Sequence, residues 1–352
     1  MNNRSLFISG GAGFIGSNCA LHFLKKGWRV TLFDNLSRQG WQENLRWVGE
    51  AGNFELIRGD IRNRNELESA FKDRSFDFII HLAAQVAVTT SINNPLADFE
   101  INALGTFNLL ETIRNHSPNS FFIFASTNKV YGELDSIRIK EQENSYSFLD
   151  YPRGIPETFN LDFHSPYGCS KGSADQYVID YARIYGLKTV SMRQSCIYGY
   201  RQFGHEDQGW VAWLSIATMF KKSISIYGDG KQVRDILFVD DLIEAYEMAF
   251  EHQDRVIGQA YNIGGGPENV LSLLRLIDRL QSEQKDPINF SFAPWRAGDQ
   301  KVFICDINKA KVDFNWKPKT NVDQGLEKLY KWIGDNKTIF EENIFEPAKQ
   351  NV

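Results

Sequence analysis

Tyr167 and Lys171 stand four residues apart in the stretch Ser165-Pro166-Tyr167-Gly168-Cys169-Ser170-Lys171. On a helix this spacing puts both side chains on one face, about one turn apart. A phenol titrates near ~10 and is a poor base at neutral pH. An ammonium held beside it favours the phenolate and brings it towards general-base work. The spacing alone is common on ordinary surface helices. It gains weight from a second set of residues at the start of the chain, Gly10-Gly11-Ala12-Gly13-Phe14-Ile15-Gly16. Such glycines let a backbone turn tightly and approach a pyrophosphate, whose charge then rests on a helix N-terminus.

Both sets need elements to hold them. The glycines follow the apolar run Leu6-Phe7-Ile8 and open the segment Ser17-Asn18-Cys19-Ala20-Leu21. Strand, glycine turn and helix start are the context in which these glycines signify a dinucleotide site. The next strand, Val30-Thr31-Leu32-Phe33, ends in Asp34, near the ~20-residue distance at which an acid receives ribose hydroxyls. A carboxylate there repels a 2′-phosphate, so NAD is expected rather than NADP; Arg38 blurs that preference without reversing it. Further along, residues 54–57, 76–80, 121–124 and 187–192 read as strands, and 65–72, 95–115 and 170–185 as helices. Alternating strands and helices predict a parallel sheet covered on both faces, with ligands beyond the carboxyl ends of the strands. Asp60-Ile61, His81-Leu82-Ala83-Ala84-Gln85 and Ser126-Thr127 fall at those ends.

The chain has 352 residues, 42% hydrophobic and 24% charged, enough for a large core and two lobes. Residues 1–190 with about 235–265 are expected to form an NAD-binding domain, and about 191–234 with 266–345 a substrate lobe. The fold class is α/β: a Rossmann-type doubly wound parallel sheet with a smaller C-terminal α/β lobe. A net charge of −5 gives no general pull towards nucleic acid or an anionic membrane. No apolar run approaches the ~20 residues that span a bilayer. Met1 to Ser5 lead directly into the first strand, so no signal peptide is expected. Cys19, Cys169, Cys196 and Cys305 lack C-x-x-C spacing, which points away from a metal site or a disulfide framework and towards a reducing cytoplasm.

Taken together, Gly10-x-x-Gly13-x-x-Gly16, Asp34, Asp60-Ile61, His81-Leu82-Ala83-Ala84, Asn102-x-x-Gly105-Thr106, Val130-Tyr131-Gly132 and Tyr167-x-x-x-Lys171 resemble the extended short-chain dehydrogenase/reductase family of nucleotide-sugar epimerases and dehydratases. The resemblance covers nearly the whole chain. It implies that NAD is held by Gly10, Gly13, Phe14, Ile15, Gly16, Asp34, Asn35, Ser37, Arg38, Asp60, Ile61, Leu82, Ala83, Ala84, Gln85, Asn102 and Ser126. Tyr167 is then the general base, Lys171 holds the nicotinamide ribose and lowers the phenol's pKa, and Thr127 hydrogen-bonds the reacting sugar oxygen. Arg234 and Arg296 match the family's two diphosphate-binding arginines, and a planar guanidinium suits phosphate oxygens. Asp235 and Asp299 offer a rival account, in which each arginine is simply salt-bridged.

Departures from the family pattern narrow the substrate. Dehydratases carry an Asp-Glu pair after the catalytic Thr; Asn128-Lys129 stands here and cannot supply that acid/base pair. The 4-epimerases that act on galactose usually place a lysine near the position of Val86. The asparagine of R-x-x-N-x-Y-G is replaced by Cys196 in Arg193-Gln194-Ser195-Cys196-Ile197-Tyr198-Gly199. The long strings around Ser126–Gly132, Leu161–Gly172, Arg201-Gln202-Phe203 and Asp207-Gln208-Gly209-Trp210 resemble the branch that inverts C2 of a CDP-hexose. Ser195, Cys196, Arg201, Gln202, Gln208, Gly209, Arg234, Arg296 and Asp299 are then expected to bind the substrate, along with Thr127, Asn128 and Lys129. A CDP-glucose 2-epimerase and a UDP-hexose 4-epimerase share this chemistry and remain open. Trp210 and Trp213 read as core packing. The family pairs through the helices 94–115 and 170–185, so a homo-oligomer is expected. The tail from Asp335 onwards carries no functional reading.

Overall fold

The computed structural model describes residues 4–296 and 298–341; the last part of the tail lies outside them. Five strands open the sheet: β1 (Ser5–Ser9), β2 (Arg29–Asp34), β3 (Glu55–Arg58), β4 (Phe78–His81) and β5 (Phe121–Thr127). Strands Lys188–Gln194 and Ala260–Ile263 complete it, in the order Ala260–Ile263, Lys188–Gln194, β5, β4, β1, β2, β3, with every neighbouring pair parallel. Successive side chains of a strand point to opposite faces, and here both faces are apolar. Leu6, Ile8, Phe78, Ile80, Phe121 and Ile123 enter one core with helix Phe14–Lys25 and helix Val239–Glu251. Phe7, Ile79, Phe122 and Phe124 enter the other, under helices Arg64–Phe71, Gly105–His116 and Ser165–Tyr185. This double burial is why the strands read as continuous apolar runs. The expected doubly wound α/β fold is the one found.

The chain leaves β1 towards one edge and returns through β4 on the other side. The crevice beyond their carboxyl ends is therefore the switch point at which such sheets bind ligands. Over it lies the second lobe. Strand Val233–Phe238 pairs with Cys196–Tyr198, Val270–Ser272 and Val302–Phe303, and Ile224–Tyr227 pairs with Phe290–Ala293. The first-face core runs without a break into this lobe through Tyr198, Leu214, Trp316 and Leu329. Among the described residues no helix is long and apolar enough to cross a membrane.

Two helices differ from the sequence reading. The one expected over 170–185 begins at Ser165, because Pro166 sits in its first turn, where a missing N–H costs nothing. The stretch 95–115 is broken: Pro95–Phe99 and Gly105–His116 are α-helical, and Glu100–Leu104 between them forms a π turn. In it Asn102 is buried and bonded to Asp98 and Ser170.

Candidate active site

The cleft starts at the glycine loop. Gly10 has φ +73°, and a Cβ there would lie 2.6 Å from the Ala83 nitrogen; one on Gly16 would lie 2.2 Å from the Gly10 carbonyl oxygen. Neither position tolerates a larger residue, whereas a Cβ on Gly13 would meet only the Gly10 oxygen, at 3.3 Å. Helix Phe14–Lys25 has no side-chain N-cap, so its leading N–H groups are free for an anion. Asp34 closes the far side of the loop, accepting from the Ala12 and Leu36 nitrogens at 3.0 and 2.8 Å. Asp60 is gripped by Arg62 and accepts from Asn35 at 3.0 Å, and the Arg62 bond holds its carboxyl down at about 2.

A cavity of about 430 Å³ joins these residues. It is lined by Gly10, Gly13, Phe14, Ile15, Gly16, Asp34, Asn35, Ser37, Arg38, Asp60, Ile61, Leu82, Ala83, Ala84, Ser126, Tyr167 and Lys171. The residues fit a dinucleotide on an independent observation. Asn44 Oδ1, Ser126 Oγ, Arg201 Nε and Gln202 Oε1 are buried polar atoms without a protein partner, and all four residues line this cavity. Buried polar atoms ordinarily have partners, so these await a polar ligand.

Gln85 and Asn102 do not reach the cleft. They bond each other reciprocally at 3.0 Å and both donate to Asp98, and Ser170 also donates to Asp98, at 2.5 Å. Their part is to fix helix Ser165–Tyr185 against the loop after β4. His81 lies beneath that loop, fully buried. Ser9 Oγ approaches its Nδ1 at 2.6 Å and Thr106 Oγ1 its Nε2 at 3.0 Å. Thr106 spends its own proton on the Asn102 carbonyl, so it must accept from His81 Nε2, and Ser9 donates to Nδ1. The ring is thereby held neutral, and burial with the nearby Lys171 charge pushes it down to about 3.

At the inner end of the cavity Tyr167 and Lys171 occupy adjacent turns of helix Ser165–Tyr185, as expected. The phenol lies beside Thr127; burial pushes it up to about 12 against the lowering pull of Thr127 and Arg38. Lys171 donates to the Ala125 carbonyl at 2.5 Å and sits 4.0 Å over the Phe124 ring. Burial takes it down to about 7, partly offset by Asp175 and Asp98. The ammonium thus faces the end of β5, and it is Thr127 and Arg38, not Lys171, that lower the phenol. The buried pair Arg193–Asp175, 2.9 Å apart, anchors this helix to strand Lys188–Gln194.

The residues expected to bind substrate divide. Arg201, Gln202 and Gln208 line the glycine-loop cavity with Val86, and Arg38 reaches Gln208 Oε1 at 2.9 Å. Arg201, with φ +68°, stacks its guanidinium on Trp47 and Trp332, which spacing could not disclose. Gly209, with φ +74°, turns the chain into helix Trp210–Met219, and Ser195 donates to Asp235; neither faces the cavity. Asn128 is buried beside Thr127. Arg234 pairs with Asp299 at 2.6 Å. Arg296 pairs with Asp207 at 2.9 Å and lies 3.8 Å over the Tyr227 ring. Both arginines are salt-bridged, but not by their neighbours in sequence: Arg234 takes Asp299 and Arg296 takes Asp207, while Asp235 accepts from Ser195, Gly266 and Cys305. Trp210, expected as core, is half-buried, and its indole N–H lacks a partner.

A doubly wound sheet with a glycine loop, an acid ending β2 and a Thr–Tyr–Lys set after β5 defines an extended short-chain dehydrogenase/reductase. Within that class, residues 7–329 match the model of the family described as GDP-mannose 4,6 dehydratase, and the chain belongs to it. It is 47% identical over 332 residues to CDP-paratose 2-epimerase of Salmonella typhi, covering 93% of this chain and 98% of that one. It superimposes with a TM-score of 0.81 on UDP-glucose 4-epimerase of Thermotoga maritima solved with UDP-glucose, at 30% identity and covering 95% of this chain and 99% of that one. UDP-glucuronic acid 4-epimerase of Bacillus cereus, in complex with UDP-glucuronic acid and NAD, also gives 0.81, at 28% identity over 94% of this chain and 99% of that one.

Proposed function

We propose that the protein is an NAD-dependent epimerase that inverts C2 of a CDP-hexose, converting CDP-paratose to CDP-tyvelose through a transient 2-keto sugar. The observation that carries the chemistry is that Tyr167 and Lys171 line the same cavity as the glycine loop and Asp34, with Thr127 beside the phenol. The Salmonella relative and the Asn128-Lys129 pair support the choice of sugar and of reaction.

Gly10, Gly13 and Gly16 would receive the NAD diphosphate on helix Phe14–Lys25, and Asp34 the adenosine ribose. NAD, when bound, supplies a hydride acceptor and returns the hydride. Thr127 and Tyr167 hold the C2 hydroxyl between them, and Tyr167 takes its proton. A phenol pushed up to about 12 is protonated before the cleft fills and in that form cannot take a proton. It first releases its own proton to solvent, favoured by the positive charge of the bound oxidised cofactor and of Lys171. The resulting phenolate, beside the Thr127 hydroxyl, is the base that takes the C2 proton. Lys171 contributes positive charge one turn away and keeps the phenol end of the helix tied to β5. The sugar turns over within the site, and Tyr167 gives the proton back on the other face. No carboxylate stands beside Thr127 to drive loss of water, because Asn128 and Lys129 occupy those positions.

Leu96, Phe99, Tyr177 and Ile184 are 66%, 54%, 47% and 62% exposed on helices Pro95–Phe99 and Ser165–Tyr185. An apolar face of this kind on a folded chain marks an interface, and we assign it to pairing with a second copy of the chain.

The test is proton NMR of the purified protein with CDP-paratose and no added NAD. Inversion at C2 is expected. Turnover of CDP-glucose or UDP-glucose alone would keep the chemistry and overturn the sugar; cofactor consumption in place of recycling would make the protein a net dehydrogenase. The Tyr167→Phe variant is expected to retain NAD and lose ~10²–10⁴ in turnover.

A further inference from the structure

Lys129 lies two residues beyond Thr127, half-buried, with its backbone N–H on the Thr127 hydroxyl at 3.2 Å. Its ammonium reaches across to the second lobe, where it meets the Gly298 carbonyl at 3.0 Å and Gln300 Oε1 at 3.5 Å. The charged or titratable groups around it are Arg234, Asp299, Cys196 and Glu133. Asp299 is taken by Arg234 at 2.6 Å, and Glu133 lies 2.9 Å from the His164 ring. Cys196 remains a thiol, because burial raises it more than the neighbouring cations lower it. Among the described residues Lys129 has no ion-pair partner, and its ammonium meets only the neutral Gly298 and Gln300 oxygens. The charge of Arg296, in contrast, is matched by Asp207 and its guanidinium is stacked on Tyr227.

We infer that Lys129 is the second cation, beside Arg234, that grips the diphosphate of the nucleotide sugar. The inference rests on the nucleotide-sugar reading above and specifies which part of the substrate Lys129, expected there only as a substrate-binding residue, would hold. A diphosphate entering between Lys129 and Arg234 gives Lys129 a direct anionic partner and relieves the repulsion between the two cations. The buried Trp210 N–H lies beside the Cys196 sulfur and adds a neutral donor to the same wall. Burial and Arg234 bring Lys129 down to about 8 in the empty site, so above that pH diphosphate binding must be accompanied by uptake of a proton.

The experiment is calorimetric titration of the full chain with CDP, UDP and cytidine, for wild type, Lys129→Met and Lys129→Arg. Lys129→Met is expected to weaken CDP and UDP alike by roughly ten- to hundredfold and to leave cytidine unchanged, with Lys129→Arg recovering most of the loss. Wild-type CDP affinity is expected to fall as pH rises from 8 to 10, and Lys129→Met to be flat there. Unchanged CDP affinity in Lys129→Met overturns the inference, as does an equal loss for cytidine, which would make Lys129 a tether of the 298–300 loop only. If Lys129→Met does not fold, a flat wild-type profile from pH 8 to 10 overturns it independently. Failure of the wild type to bind either CDP or UDP would instead remove the nucleotide-sugar reading, and this inference with it.

Discussion

Acid should unfold this protein through His81, and the size of the effect follows from its surroundings. The ring is fully buried, accepts from Ser9 and donates to Thr106, and has no carboxylate beside it. Its ordinary value of 6.5 drops to about 3 in the fold, chiefly through burial and secondarily through Lys171. For a base whose folded value is depressed, the unfolded chain takes up a proton that the folded chain refuses. Stability is therefore unaffected above 6.5 and falls steadily below it until about pH 3. At about 1.4 kcal/mol per unit, acidifying from 6.5 to 4 costs about 3 kcal/mol from this one group. That is a large share of the ~5–15 kcal/mol that holds a typical domain together. Protonation also forces the Ser9 hydroxyl to reverse, which disturbs its contact with the Ala83 nitrogen at 3.5 Å, on the wall of the cleft. The assay is urea unfolding at steps between pH 7 and pH 4 for wild type and His81→Gln. The variant gives up some stability at neutral pH, and its curve is expected to be shallower by about 3 kcal/mol over that range. Carboxylates such as Asp60 titrate in both proteins and cancel. Parallel curves for the two would refute the reasoning and place the acid sensitivity elsewhere.

Three further outcomes follow from the same geometry. Gly16→Ala drives a methyl to 2.2 Å from the Gly10 oxygen; loss of roughly 1–3 kcal/mol in denaturant melts is expected, together with loss of NAD from the purified protein, and wild-type NAD content would contradict it. Asp34→Asn removes the charge that opposes a 2′-phosphate, so the NAD-over-NADP preference measured as a ratio of Kd values should narrow at least tenfold; an unchanged ratio would shift the discrimination to Arg38. Phe99→Glu with Ile184→Glu places charge on the exposed helix face, and light scattering should report a smaller species than wild type, whereas an unaltered mass puts the interface elsewhere.

Much of this site was legible in the chain because its chemistry is local. Gly10, Gly13, Gly16 and Asp34 sit within one strand–turn–helix–strand unit, so spacing alone places them. Tyr167 and Lys171 share one helix face, so periodicity brings them together. The apolar runs at Leu6–Ile8, Phe78–Ile80 and Phe121–Phe124 predict a sheet buried on both sides, since nothing else hides consecutive large side chains. What the sequence could not decide is where groups point once distant segments meet. Asn102 and Gln85 carry the right residue types, but a π turn directs Asn102, and Asn102 with Asp98 draws Gln85, into a buried network instead of the cleft. Arg201 is drawn into the gap between Trp47 and Trp332, residues more than a hundred positions away on either side. Lys171 bonds the end of β5 and leaves Thr127 to meet the phenol. Lys129 lacks a carboxylate partner because Asp299 is taken by Arg234 from another strand. Residue type and spacing determine which chemistry is available. Packing from far along the chain decides which groups stay unpaired, and unpaired groups are the ones left to meet a ligand.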